Sequence, residues 1–61
     1  MSFAMLKRTK TFGGKTYHLA GRYYEKSDAE AKAKWIRGRG GKARISQERI
    51  MGAPPWAVWA R

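Results

Sequence analysis

The chain contains no cysteine, a single histidine and four carboxylates among 61 residues. Lacking thiols, it can form neither disulfides nor thiolate metal sites. Three of its four acids fall within Glu25–Glu30 and the fourth, Glu48, stands apart. That distribution matches no metal-ligand spacing, so neither a metal nor another cofactor is expected. No pair of carboxylates is placed by a recognisable motif for acid–base work, and His18 has no serine or acid partner in a signature spacing, so the chain is not expected to be an enzyme. Long apolar runs are missing too, and none approaches the roughly 18–20 residues that a bilayer demands. Met1–Leu6 is apolar with cations after it, the reverse of a signal peptide's order. These absences lead to the expectation of a soluble, cytoplasmic protein.

Positive charge is abundant. Fourteen Lys and Arg face four Asp and Glu, giving a net charge of +10 and an isoelectric point near 10.8. Such an excess opposes compaction by self-repulsion, and a polyanion would relieve it. Nucleic acid is the expected partner, since a domain isoelectric point above about 9 is a recognised electrostatic footprint. One domain spanning 1–61 is expected. Domains this small bury only about 60% of their unfolded surface. With disulfides and metals excluded, self-association as a homodimer is the expected supplement, with three tryptophans available for an interface.

Local patterns predict the order β-β-α-β-β. Phe3–Lys10 and Lys15–Ala20 read as strands of a hairpin around the turn residues Thr11–Gly14. Ser27-Asp-Ala-Glu30 has the form of a capping box, which predicts a helix over about 28–37, with Gly38 as its left-handed stop. Ala29, Ala33 and Ile36 would share its buried face. Lys42–Gln47 alternates as a half-buried strand, Glu48–Pro55 is a loop, and Trp56–Arg61 is a final strand. The expected fold is α+β, an antiparallel sheet with one helix packed on one face.

The other sheet face is then the candidate site. Period two places Val58 with Trp56 on the helix side and Trp59 with Arg61 and Arg44 on the open side. Cations of the first hairpin (Lys7, Arg8, Lys10 and Lys15) would add to that face. Between Lys32 and Ile45 six cations occur without an acid, adding Lys34, Arg37, Arg39 and Lys42. Cations neutralise phosphates and aromatics stack on bases, so this set, with Trp59, is the candidate nucleic-acid interface. Arg37–Lys42 is not a Walker loop, because Ala43 follows the glycine–lysine pair and the loop leaves a helix rather than entering one.

With Lys7-Arg8-Thr-Lys10, the Lys32–Arg44 run and Trp59 on a sheet face, the chain resembles the small basic seven-kilodalton chromatin proteins of archaea. That resemblance implies nucleoid association and duplex compaction or bending with little base readout. The capped helix departs from the SH3-like members of that group. The expectation is therefore a sequence-tolerant binder of double-stranded DNA, with DNA favoured over RNA. The alternatives are an RNA-binding or ribosome-associated protein, and a protein-interaction module anchored by Trp35 and Trp59. The helix's apolar face is too modest for strong insertion into a membrane surface.

Overall fold

The computed structural model describes residues 8–61. The elements are β1 (Thr9–Phe12), β2 (Lys15–Tyr23), α1 (Lys26–Gly38), β3 (Ala43–Gln47) and β4 (Trp56–Ala60). All neighbouring strands run antiparallel, in the order β1-β2-β4-β3, and α1 packs on one face. This is the expected α+β architecture. Lys7, with most of the first predicted strand, lies outside the described residues. Thr11 and Phe12, expected in the turn, belong to β1. Only Gly13 and Gly14 make the turn, with φ of +55° and +80°. Two consecutive positive φ values suit a two-residue hairpin whose twist matches its strands.

The helix starts two residues before the predicted position. Glu25 is the N-cap, without a side-chain bond, and its carbonyl accepts from the Asp28 and Ala29 amides. The Ser27–Glu30 capping box is therefore not used. The helix also ends later than predicted. Gly38 is its last residue, and Gly40 takes the left-handed conformation at φ +88°. The Gly40 amide donates to the Arg37 carbonyl and the Gly41 amide to that of Ile36. This is a Schellman motif, which ties off the last carbonyls and turns the chain into β3.

Two hydrophobic clusters lie on opposite faces of the sheet. Between sheet and helix, Ala29, Ala33, Ala43 and Val58 are buried, with Tyr23, Ile36, Ile45 and Trp56 packed around them. The two alanines of α1, fully buried, let the helix lie close to the strands. On the far face Tyr17, Ala57 and Trp59 are buried, flanked by Phe12 and Leu19. A β-bulge in β2 connects the two arrangements. Leu19 pairs with Trp59 but Gly21 with Val58, so Ala20 is the extra residue. It reverses the alternation and sends Tyr23 to the helix side, opposite Trp56.

The sheet is strongly curled. In a flat sheet the β1 and β3 backbones would lie about 14 Å apart, at roughly 4.8 Å per strand, and curling brings the long side chains of these outer strands together over the far face. Here Lys10 of β1 bonds Glu48, just beyond β3, at 2.6 Å. The Arg44 guanidinium of β3 lies 5.2 Å from the Phe12 ring centre. The curl folds the far face inward and buries Trp59 to 1% exposure. The expected open, aromatic sheet face is therefore closed over its tryptophan, although Trp59 does lie on the predicted side.

Candidate nucleic-acid interface

Strand register places the cations. Arg8, Leu19, Trp59 and Arg44 form one row across the sheet, joined by the Leu19 amide donating to Arg8 and by the pairing of Trp59 with Leu19 and Arg44. Lys10, Tyr17, Arg61 and Lys42 form the next. Lys10 pairs with Tyr17, and Lys42 and Arg61 exchange backbone hydrogen bonds at 3.1 and 3.0 Å. Lys15, opposite Phe12, extends the same face. Since alternate residues share a face, all these side chains stand on the side away from α1. Of the predicted site residues, Arg8, Lys10, Lys15, Lys42, Arg44, Trp59 and Arg61 thus converge on one curled face.

Two regions of this face differ in electrostatics. Around Lys10 the charge is compensated. Glu48 accepts from Lys10 at 2.6 Å, from Arg22 at 3.0 Å and from the Ser46 hydroxyl at 3.2 Å. Ser46 in turn accepts the Trp59 indole N–H at 2.8 Å. The hydrogen bond from Lys10, aided by those from Arg22 and Ser46, holds the Glu48 carboxyl below its usual range against an opposing desolvation. Arg22 was not among the predicted site residues. It is nearly buried, and its Nε and Nη1 have no partner. No local pattern could have found this network, since Lys10 and Glu48 are 38 residues apart.

At the other region, where α1 ends and β3 begins, positive charge has no side-chain counter-charge among the described residues. Tyr17, Arg37, Gly41, Lys42, Ala43 and Arg44 line a groove of about 460 Å³. Arg61 borders it, its guanidinium 5.9 Å from the Tyr17 ring centre. Among the described residues none of these four cations has a side-chain carboxylate partner; the ion pairs run from Lys10 and Arg22 to Glu48. Neutral groups place three of them. Arg37 donates to the Ala43 carbonyl at 2.8 Å. Arg44 stacks over Phe12, which meets Tyr17 edge-on at 5.1 Å, and Arg61 lies over Tyr17. Cation–π contacts order a guanidinium without cancelling its charge. Hydrogen bonding to Arg44, with the charges of Arg44 and Arg61, holds the Tyr17 phenol below its usual pKa despite burial.

Arg39 and Lys34 stand outside this groove. Arg39 is exposed and lies 4.8 Å from the Trp35 ring, which Lys32 approaches to 4.5 Å from its own position on α1. Trp35 is 55% exposed and so adds little to the core. Lys34 is exposed on α1. Trp59 is not available for stacking on a base, and its burial within one chain also removes the need for a second subunit to cover it. No helix is long and apolar enough to cross a membrane among the described residues. No family model, curated protein or solved structure matches the chain.

Proposed function

We propose that the protein binds nucleic acid through charge rather than base sequence, with double-stranded DNA as the preferred partner in an architectural or nucleoid role. One observation carries this reading. Arg37, Lys42, Arg44 and Arg61 gather where helix, β3 and β4 meet, the three arginines ordered by a carbonyl and by rings rather than by acids. Cations in this state have given up flexibility but not charge, so less ordering remains to be done when a phosphate arrives. The burial of Trp59 and Tyr17 favours backbone contacts over base stacking. Duplex RNA offers the same phosphate chemistry and is the alternative within this reading. A protein-interaction role draws support from Trp35, exposed beside Lys32 and Arg39.

The test is fluorescence anisotropy with matched duplex DNA, single strands and RNA across a salt series. With four to six phosphate contacts, affinity for B-DNA falls with a log–log salt slope of about −4 to −5. Arg37→Ala combined with Arg39→Ala weakens binding to all sequences alike and makes the slope shallower by about 1 for each phosphate no longer neutralised. Salt-independent affinity, or a weakening confined to one base sequence, overturns the reading.

A further inference from the structure

The groove at the helix exit concentrates more charge than a phosphodiester backbone uses. Three cationic side chains, Arg37, Lys42 and Arg44, and no acidic one line a space of about 460 Å³, and Arg61 stands at its border. A single phosphodiester brings one negative charge. The floor is rigid: Tyr17 and Ala43 are buried, and the Schellman turn fixes Gly40 and Gly41 through bonds to Arg37 and Ile36. Lys42 is held in register by its paired backbone bonds to Arg61. Its cations reach in from three places: Arg37 from α1, Lys42 and Arg44 from just before and within β3, and Arg61, at the border, from just after β4.

We infer that this groove is a seat for an oligophosphate group, two or more linked phosphoryl units bound together. The ligand is free pyrophosphate or tripolyphosphate, or the triphosphate at the 5′ end of a nucleic-acid strand. Both sources present the same chemistry. Planar guanidinium forks donate to phosphoryl oxygens in pairs, and Lys42 supplies a point charge between them. The inference rests on the same uncompensated cations as the nucleic-acid reading, but asks them to act on one compact ligand. It adds a regulatory consequence, since a free oligophosphate would compete with backbone phosphates for these residues.

Calorimetric titration of the intact protein with tripolyphosphate in dilute buffer tests this, with oligonucleotides bearing a 5′-hydroxyl or a 5′-triphosphate as parallel arms. Saturable one-to-one binding is expected. Lys42→Gln/Arg44→Gln should weaken it about tenfold or more, since each charge-assisted hydrogen bond removed exceeds about 1.4 kcal/mol, the equivalent of a factor of ten. Lys26→Gln/Arg49→Gln removes equal charge elsewhere and should change affinity by less than about twofold, as expected for exposed charges outside the site. Circular dichroism verifies that both variants are folded; they alter only exposed side chains. A 5′-triphosphate that outbinds the 5′-hydroxyl strand assigns the seat to strand ends. Equal binding of the two strands, with tripolyphosphate bound saturably, assigns it to the free ligand. Equal weakening in both double variants, or unsaturable binding, overturns the seat. If duplex DNA still binds with its steep salt slope while tripolyphosphate does not, this inference alone falls. If neither binds, the nucleic-acid reading falls with it.

Discussion

Replacing Glu48 by glutamine tests how the curled sheet is held shut. Arg22 is 8% exposed and donates from Nη2 to Glu48, while its Nε and Nη1 have no acceptor. Glutamine keeps the shape and one acceptor oxygen but leaves that guanidinium without a counter-charge. Removing one partner of a buried pair costs about 3–5 kcal/mol. Glu48 is 20% exposed, so water recovers part of that cost. The more exposed Lys10 pair adds less than about 1 kcal/mol. A net destabilisation of about 2–3 kcal/mol follows from these two terms. It is large beside the roughly 3–9 kcal/mol available to a domain of this size, and lowers Tm by roughly 10–20 °C. Urea and thermal denaturation followed by tryptophan fluorescence would measure it. The pH dependence sharpens the test. The folded Glu48 carboxyl sits below its unfolded value, so its contribution is complete above the unfolded value and disappears as pH falls through the folded one. The gap between wild type and Glu48→Gln should therefore be full at neutral pH and close in acid. Adding Arg22→Met to Glu48→Gln should recover part of the stability, because no buried charge then lacks a partner. A neutral-pH gap below about 0.5 kcal/mol, the scale of an ordinary surface substitution, or one that does not narrow in acid, would refute this account.

Two further outcomes follow from the far face. Trp59→Ala should destabilise by about 3–5 kcal/mol, whereas Trp59→Phe should stay folded by circular dichroism and bind duplex DNA as wild type does; a folded Trp59→Phe that no longer bound would restore a stacking role for the indole. In an alkaline titration read by tyrosinate absorbance, Tyr17→Phe should remove a component below the ordinary tyrosine range, and Arg44→Gln should move that component upward, because Arg44 favours the ionised phenol.

Short-range chemistry carried most of the element order. The Gly13–Gly14 turn, the alternation after Lys42 and the Pro54-Pro55 break all act within a few residues. β3 and β4 fall within a residue of the expected bounds, whereas β2 runs three residues past Ala20 and β1 runs on through Phe12. The helix boundaries slipped because tertiary contacts override a capping signature. Ala29 and Ala33 must face the sheet, and the turn from β2 lets the Glu25 carbonyl begin the helix before Ser27 can cap it. Gly38 and Gly40 were equally permissive, and the bond from Gly41 to Ile36 decides between them. Parity correctly assigned Trp59 to the far face, but parity says nothing about curvature. The bulge at Ala20 and the link from Lys10 to Glu48 arise from pairings between distant segments. The cations of the candidate interface were readable as a set, whereas their division into compensated and uncompensated groups depended on where a single carboxylate, Glu48, was brought to rest.

The position of β4 has a consequence for biogenesis. Its five residues, Trp56–Ala60, lie between β2 and β3 and feed both hydrophobic clusters, Val58 on one side and Ala57 with Trp59 on the other. During synthesis, the first hairpin and the helix emerge well before this strand exists. Neither cluster is complete until it does, so the two faces of the sheet are joined by the element that is made last of the five.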